Sequence, residues 1–188
     1  MRVVSGKFRG RRLSAVPGMA TRPTTDKVKE SLFNIIGPYF DGGNSLDLYG
    51  GSGGLSIEAV SRGMQSATIV DRQYAAIKTI RQNISLTGDP DAFHILKQDA
   101  HKALHILAKQ NEKFDLVFLD PPYAKQTIIK DIQAMVEYGL LNTEAIIVCE
   151  TNQEANLPEQ LEHFELFRRH EYGITVLTIY QFKGGNTK

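Results

Sequence analysis

Apolar residues recur along this chain with two different periods. Short apolar-rich runs, typical of buried strands, alternate with longer stretches in which apolar residues recur at helical spacing. The runs predict strands over residues 45–49, 67–71, 93–97, 114–119 and 145–150, and the helical spacing predicts helices near residues 25–36, 54–62, 73–87, 100–110 and 127–138. This alternation favours a mostly parallel sheet that is covered by helices on both faces.

The end of the chain departs from this alternation. Residues 164–170 and 174–182 predict two further strands, and only the short link Glu171-Tyr172-Gly173 connects them. Because so short a link cannot contain a crossover helix, these strands must pair antiparallel. We therefore expect an α/β domain whose seven-stranded, mostly parallel sheet ends in a C-terminal antiparallel hairpin.

The start of the chain is strongly basic. Residues 2–6 and 11–16 predict two short strands around a glycine-containing turn, which would form a small β-hairpin. We divide the chain into this N-terminal arm, residues 1–24, and a domain over residues 25–188. Residues 1–29 carry eight Lys or Arg residues and a single Asp, a net charge of +7, so the rest must carry −6 to reach the overall +1. Such an arm suggests a polyanionic partner such as nucleic acid, and a solvated tail without a ligand is the alternative.

Composition limits the class of protein. With 188 residues, 41% of them apolar, the chain can bury the core of one domain with a modest appendage. Its single cysteine, Cys149, lies in an apolar run, so we expect no disulfide and a reducing, cytoplasmic location. No apolar stretch approaches the roughly 18 residues of a membrane span. We expect a cytoplasmic monomer without membrane contact.

A glycine-rich segment, residues 47–54, follows the first strand of the predicted sheet and opens the next helix. Glycines let a ligand approach the backbone closely, and the start of a helix offers free N–H groups, so a nucleoside cofactor can bind there. Asp47 would repel a pyrophosphate but can accept a hydrogen bond from a cationic amino group. No Gly-Lys-Ser/Thr follows, which argues against NTP hydrolysis. A purely structural turn and, as a minor alternative, a hydrolase nucleophile at Ser52 stay open.

Two further acids follow the next two predicted strands. Asp71 ends the second strand and can accept hydrogen bonds from the hydroxyls of a ribose, or it can cap the following helix. Asp99 follows the third strand and can cap a helix or accept a hydrogen bond from an adenine amino group. Because Asp47, Asp71 and Asp99 all fall at consecutive strand ends, they favour a cofactor site at that edge of the sheet.

The predicted strand over residues 114–119 ends in Asp120-Pro121-Pro122-Tyr123. Ligands of open α/β sheets bind at such strand ends. Asp120 can accept a hydrogen bond from an amino group, Pro121 leaves a backbone carbonyl free beside it, and Tyr123 offers a flat face for stacking. The tetrapeptide therefore predicts a pocket for a planar amine, and a rigid turn with an exposed Tyr is the alternative.

The motifs at residues 47–53, Asp71, Asp99 and 120–123 resemble those of class I S-adenosylmethionine-dependent methyltransferases that act on amino nitrogens. Two N-terminal segments, RVVSGKFRGRRL over residues 2–13 and TRPTTDKVKESLFN over residues 21–34, resemble the bacterial small-subunit rRNA guanine-N2 methyltransferase family, RsmD. The resemblance covers essentially the whole chain. The Asp-Pro-Pro-Tyr motif is shared by several amino-methylating families, whereas the N-terminal segments are more specific. One departure is Tyr49-Gly50, where the family often has an aromatic residue and Ala.

The resemblance implies a Rossmann-like class I methyltransferase fold and a guanine in a 16S rRNA hairpin loop as the target, on free rRNA or on the assembling small ribosomal subunit. It also implies that Asp47 and the glycine loop hold the methionine part of S-adenosylmethionine, Asp71 its ribose and Asp99 its adenine. The candidate cofactor-binding residues are Asp47, Tyr49, Gly50, Gly51, Ser52, Gly53, Asp71, Arg72, Asp99 and Ala100. The candidate catalytic residues are Asp120, Pro121, Pro122 and Tyr123, and the candidate RNA-binding residues are Lys7, Arg9, Arg11, Arg12 and Arg22.

Other functions stay open at this point. Adenine-N6 or protein-amide methylation would use the same tetrapeptide. A nicotinamide-dependent oxidoreductase would use the glycine loop and Asp71 but not the tetrapeptide, and a non-catalytic RNA-binding module would need only the basic arm. His101 and His105 lie on one face of a predicted helix, but no Cys or convincing third ligand accompanies them, so we expect no metal site.

Overall fold

A computed structural model describes residues 1–18, 24–122 and 124–185. The helices are α1 (Asp26–Ile36), α2 (Gly54–Ser61), α3 (Tyr74–Ser85), α4 (Ala100–Lys109) and α5 (Ala124–Glu137). The strands are β1 (Asn44–Asp47), β2 (Ser66–Asp71), β3 (Phe93–Lys97), β4 (Phe114–Leu119), β5 (Leu141–Asn152), β6 (Phe164–Tyr172) and β7 (Thr175–Phe182). The chain divides into two compact units, Met1–Ala100 and His101–Lys188. None of the helices in the described ranges has the length and apolar character needed to cross a bilayer.

The first unit contains three parallel strands in the order β3-β2-β1 and the helices α1 to α3. Asp47 pairs with Ile69 and Asp71 pairs with Lys97, so the strands end near the same edge of the sheet. Helix α1 begins where the Thr25 hydroxyl accepts a hydrogen bond from the N–H of Val28, at 3.3 Å, as an N-cap residue does. The sheet and helices enclose a buried apolar core that includes Ile57, Val60, Ile69 and Ile80 (Ile69 from β2, the others from α2 and α3).

The N-terminal segment, residues 1–14, packs into this same core through Val3, Phe8 and Leu13. Its two halves pair antiparallel at one bridge, Arg2 with Arg12, so the strand pairing is shorter than the sequence pattern predicts. The reason is competition for backbone donors, because the N–H groups of Val4 and Ser5 donate to the carboxylate of Glu58 rather than to the other half. The segment is therefore anchored to helix α2 through residues 4–8.

Gly6 shows how closely the N-terminal segment approaches helix α2. Its φ of +91° lies in the left-handed region, and a Cβ added there would lie 1.9 Å from the carbonyl oxygen of Ser61. Only glycine fits such an approach. The N–H of Lys7 donates to that carbonyl at 2.9 Å, and the Ser61 hydroxyl accepts from the N–H of Phe8 and donates to the carbonyl of Ser5.

The second unit contains strands in the order β4-β5-β7-β6. Strand β4 pairs parallel with β5, whereas β7 pairs antiparallel with both β5 and β6. Cys149 lies on β5 with no exposed surface, and burial raises the pKa of its thiol above the ordinary value. A buried thiol that stays protonated fills space in the core and does not act as a nucleophile.

The predicted fold class is confirmed. The described residues form seven strands, mostly parallel, and the last two form the antiparallel hairpin that the short link at residues 171–173 predicts. Strand β5 is longer than predicted because both of its ends find partners on neighbouring strands, Phe114 beside Leu141 and Thr175 beside Asn152. The proposed division of the chain after residue 24 stays a prediction.

Candidate active site

The glycine loop joins the end of β1 to the start of α2. The N–H of Gly50 donates to the carbonyl of Val70 at 2.8 Å, and a Cβ on Gly50 would lie 2.3 Å from Cγ2 of Ile69, so a side chain there would clash with β2. Gly51 and Gly53 have φ angles of +58° and +82°, in the region that favours glycine. A Cβ on Gly51 would meet no atom within 4 Å, so this part of the loop faces open space. The loop has the tight backbone and the open face that a ligand needs.

Two carboxylates hold this loop in place. Asp47 is 3% exposed, and its Oδ1 accepts a hydrogen bond from the N–H of Tyr49 at 3.0 Å. Asp71 accepts from the N–H of Gly51 at 3.0 Å through Oδ2 and from the N–H of Gln73 at 2.9 Å through Oδ1. Asp71 therefore ties the glycine loop of β1 to the end of β2. Each carboxylate oxygen of Asp71 has two lone pairs, so its two hydrogen bonds leave acceptor capacity for a ligand.

The remaining predicted cofactor residues lie along the same edge. Asp99 is exposed and directly precedes helix α4, and its N–H donates to Oε1 of Gln98 at 3.0 Å. The N–H of Gln98 donates to the carbonyl of Asp71 at 3.1 Å, which joins the end of β3 to the end of β2. Arg72 is exposed, and Tyr49 and Ala100 are partly exposed. The first unit thus brings Asp47 and Asp71, the last residues of β1 and β2, and Asp99, which follows β3, to one edge, as the sequence predicts.

The tetrapeptide belongs to the second unit. Strand β4 ends at Leu119, and Asp120 follows it as an exposed residue. Pro121 is buried and Pro122 is exposed, and helix α5 begins at Ala124. Tyr123 lies outside the described residues. The expected placement at the carboxyl end of a buried strand is therefore observed for the first three residues of the motif.

The basic side chains of the N-terminal segment differ in what they contact. Lys7 forms an ion pair with Asp89 at 3.0 Å, and Lys7 and Arg11 lie over the Phe8 ring, 5.0 and 5.3 Å from its centroid. Arg9 and Arg12 are exposed, and neither side chain forms an ion pair or hydrogen bond with the described part of the chain. Arg22 lies outside the described residues. Arg9 and Arg12 are thus the predicted RNA contacts whose charges are most available to a ligand.

A groove of about 400 Å³ lies between the N-terminal segment and helix α1. Arg2, Arg9 and Lys27 line it together with Asp26 and Glu30, and Arg2 forms an ion pair with Asp26 at 3.3 Å. Arg2 and Lys27 were not among the predicted RNA-binding residues. Their signal was present in the excess of positive charge over residues 1–29, but charge alone does not show which side chains share a surface.

A buried charge cluster anchors the N-terminal segment, and sequence reasoning missed it. Glu58 is fully buried on α2 and contacts Lys29 at 3.4 Å and Arg62 at 2.9 Å. The Lys29 ammonium also donates to the carbonyl of Arg2 at 2.6 Å. Burial lowers the pKa of Lys29, and the negative charge of Glu58 opposes that change. The cluster fixes the start of the chain against the helix that follows the glycine loop.

Within the described ranges, no group of three or more His, Cys, Asp or Glu side chains is arranged to hold a metal ion. His105 instead lies against Tyr138, with 3.1 Å between its Nε2 and the phenol oxygen.

Comparison with known proteins identifies the family. A model of the family described as conserved hypothetical protein 95 matches residues 1–181. YlbH of Bacillus subtilis (strain 168), provisionally named as an rRNA methyltransferase, is 46% identical over 184 residues, which are 98% of this chain and 100% of that protein. Ribosomal RNA small subunit methyltransferase D of Escherichia coli (strain K12) is 30% identical over 181 residues, 96% of this chain and 89% of that protein.

Solved structures agree with these relatives. The structure of yhhF from Escherichia coli, provisionally described as a methyltransferase, superposes with a TM-score of 0.82 at 30% identity and covers 98% of this chain and 99% of that one. SMU.776, a provisionally described methyltransferase solved in complex with SAH, has a TM-score of 0.63 at 14% identity over 82% of this chain and 48% of that one, a likeness of fold alone. The fold, the acids at the strand ends and these relatives lead to one conclusion: the chain belongs to the conserved hypothetical protein 95 family and is a methyltransferase of the RsmD type.

Proposed function

We propose that this enzyme transfers a methyl group from S-adenosylmethionine to the exocyclic N2 of a guanine in 16S rRNA. The observation that carries the proposal is the set of acids Asp47, Asp71 and Asp99 along one sheet edge, around a glycine loop whose open face a ligand can approach. A nicotinamide-dependent oxidoreductase is less well supported, because the buried Asp47 carboxylate beside the loop would repel a pyrophosphate.

The residues of the first unit fit S-adenosylmethionine. Its methionine part carries an ammonium group, for which the carboxylate of Asp47 and the loop carbonyls are suitable acceptors. Asp71 is oriented by the N–H groups of Gly51 and Gln73 and retains lone pairs for ribose hydroxyls. Asp99 is exposed beyond β3, where it can accept a hydrogen bond from the adenine amino group. When bound, the cofactor supplies an electrophilic methyl group on a sulfonium.

The tetrapeptide supplies the groups that an exocyclic amine needs. The lone pair of the guanine N2 is delocalised into the ring, so the amine is a weak nucleophile. Asp120 and the carbonyl of Pro121 accept hydrogen bonds from its two N–H groups, which favours the pyramidal geometry in which the lone pair is available. Tyr123 stacks on the base and positions it. S-Adenosylmethionine would supply the methyl group from its sulfonium, and the proton that the amine loses would pass to Asp120 or to water. Positioning, rather than covalent catalysis, provides most of the rate.

The basic N-terminal segment provides the contact with RNA. Arg9 and Arg12 are exposed, and Arg2, Arg9 and Lys27 share one groove, so several cations can meet a phosphate backbone. Lys7 and Arg11 are partly engaged by Asp89 and Phe8, and we assign them a secondary role. The target base must be unstacked to reach the tetrapeptide, as in a splayed loop. The cytoplasmic location and the monomeric state stay predictions.

The choice of guanine over adenine is supported by the family rather than by the tetrapeptide. The test is transfer of tritiated methyl groups to rRNA from cells that lack the protein, followed by nucleoside analysis. We expect tritiated N2-methylguanosine in the small-subunit RNA from these cells, and we expect no incorporation of tritium into RNA from cells that contain the protein, because its target guanine is already methylated. N6-methyladenosine as the product would overturn the choice of guanine, and no incorporation into either subunit RNA would overturn the rRNA substrate.

A further inference from the structure

Asn83 is a buried polar residue to which the proposed reaction gives no role. It lies on α3 with no exposed surface, and all of its amide is hydrogen-bonded. Its Oδ1 accepts from the N–H of Ser14 at 2.8 Å, and its Nδ2 donates to the carbonyl of Ser14 at 3.0 Å and to the carbonyl of Ser52 at 2.8 Å. One side chain therefore holds two backbone segments that are far apart in sequence.

These two segments belong to the two ligand sites of the first unit. Ser14 directly follows Arg11, Arg12 and Leu13 at the end of the basic segment, and Ser52 lies between Gly51 and Gly53 in the glycine loop. Asn83 thus joins the peptide that presents the RNA-binding arginines to the loop that binds the cofactor.

A second contact joins the same partners. The Ser52 hydroxyl donates to the sulfur of Met1 at 3.7 Å, and a Cβ on Gly54 would lie 3.1 Å from that sulfur. The carbonyl of Met1 in turn accepts from the N–H of Leu13 at 2.9 Å, so Met1 belongs to the paired part of the N-terminal segment. The segment cannot shift away from the glycine loop without breaking these partly buried hydrogen bonds or this packing, and the amide of Asn83, which has no exposed surface, would then lose its partners at a cost in free energy.

We propose that Asn83 is a positioning residue that couples RNA contact by the N-terminal segment to cofactor binding at the glycine loop. The proposal rests on the function proposed above. RNA that binds Arg9 and Arg12 restrains the Ser14 peptide, and Asn83 transmits that restraint to Ser52. A loop that is already restrained loses less conformational freedom when the cofactor binds, which produces positive coupling between the two ligands. Coupling of this kind is reciprocal, so the cofactor must tighten RNA binding by the same factor.

The test measures the affinity of S-adenosylhomocysteine by calorimetry, with and without 16S rRNA purified from cells that lack the protein. For the unmodified protein we expect binding to be about 5-fold to 150-fold tighter with RNA present, the usual range for allosteric coupling. Asn83→Asp keeps the acceptor for the Ser14 N–H but replaces the two donors with a charge that repels both carbonyls. We expect the coupling of this variant to fall below about 2-fold.

The matched control is Thr79→Val on the same helix. The Thr79 side chain is also buried, and within the described residues its hydroxyl hydrogen-bonds to the carbonyl of Ala75, one turn away, and to neither segment. We expect this variant to lose some thermal stability and to keep the coupling of the unmodified protein. If Asn83→Asp does not fold, Ser14→Pro takes its place, because proline has no N–H and removes the hydrogen bond from the Ser14 N–H to Oδ1 of Asn83 at the exposed end of the contact.

The outcomes separate this inference from the function on which it rests. Failure of the unmodified protein to bind S-adenosylhomocysteine or RNA overturns both. Independent binding of the two ligands, or full coupling retained in the folded Asn83 or Ser14 variant, overturns the coupling alone. Loss of coupling in Thr79→Val as well as in Asn83→Asp shows a general loss of order and also overturns the role of Asn83.

Discussion

The carboxylate of Glu58 makes several of the contacts that hold the N-terminal segment in place, and its substitution tests their contribution to stability. It is fully buried and accepts hydrogen bonds from the N–H groups of Val4 at 2.8 Å and Ser5 at 3.1 Å. It also neutralises the ammonium of Lys29 and the guanidinium of Arg62, which are 2% and 4% exposed. The conservative change Glu58→Gln keeps the shape of the side chain and removes its charge.

The expected cost follows from what the change leaves behind. Two buried cations lose their carboxylate, and a Gln amide can offer only one acceptor oxygen to donors that previously shared two. Removing one member of a buried ion pair costs about 3–5 kcal/mol. We expect about 3 kcal/mol, because burial already lowers the pKa of Lys29 and the amine can lose its proton in the variant. For a chain of this size, each kcal/mol corresponds to roughly 2–4 °C in Tm, so the midpoint should fall by roughly 6–12 °C.

The assay is thermal unfolding followed by circular dichroism, with Glu30→Gln as the control. Glu30 is exposed on α1, and its substitution removes the same charge from the surface, so its effect should stay within about 0.5 kcal/mol. The double variant Glu58→Gln with Lys29→Met also removes the buried Lys29 amine that has lost its carboxylate partner, and it should recover part of the loss. A change in Tm of less than about 2 °C for Glu58→Gln would show that the cluster does not anchor the segment and would refute this reasoning.

Three further predictions concern catalysis, RNA contact and the core. Asp120→Asn should lower kcat by at least about 100-fold, as the loss of one preorganised electrostatic contact does, while the affinity for S-adenosylhomocysteine measured by calorimetry stays within about 2-fold. The control variant Glu137→Gln, on the exposed end of α5, should have no effect on either quantity. Near-normal turnover of Asp120→Asn would contradict the role of Asp120. The double variant Arg9→Ala with Arg12→Ala should weaken RNA binding in a filter-binding titration and reduce the slope of log K against log salt concentration by roughly 1.4–1.8. In the same titration, the control variant Arg168→Ala on β6 should leave the slope unchanged. Cys149, whose thiol pKa burial raises, should resist iodoacetamide in the native protein at pH 8 and react only in denaturant, and rapid native modification detected by mass spectrometry would show that β5 opens.

The N-terminal segment also changes which experiment can test RNA binding. From the sequence, deletion of residues 1–16 is the obvious test, since the segment reads as a separate basic arm. In the structure Val3, Phe8 and Leu13 are buried in the core of the first unit, and Glu58 and Lys29 need the backbone of residues 2–5 as partners. A deletion would therefore expose apolar surface and leave buried charges without partners. Substitution of exposed arginines separates RNA contact from folding.

Several parts of the protein follow from the sequence alone. The strand pattern, the antiparallel end and the acids at residues 47, 71 and 99 are encoded locally, because burial on both faces leaves unbroken apolar runs and a strand end leaves a polar residue directly after them. The N-terminal motifs and the tetrapeptide identify the family, since they occur as contiguous segments. The choice of an exocyclic amine as the reacting group rests on four adjacent residues, 120–123, that need no tertiary information to be read.

Only the tertiary structure shows how the N-terminal segment is joined to helices α2 and α3. Glu58 lies in a predicted helix and Asn83 in another, and neither pattern distinguishes a buried polar residue from a solvent-exposed one. Their partners lie 54 and 69 residues away along the chain, Val4 for Glu58 and Ser14 for Asn83. A hydrogen bond between a side chain and a distant backbone group leaves no periodic or compositional signal, because it depends on where folding places both segments. The sequence therefore determines the chemistry at the ends of the strands, whereas only the packing of α2 and α3 against the N-terminal segment brings the backbone of Ser14 and of Ser52 to one side chain, Asn83.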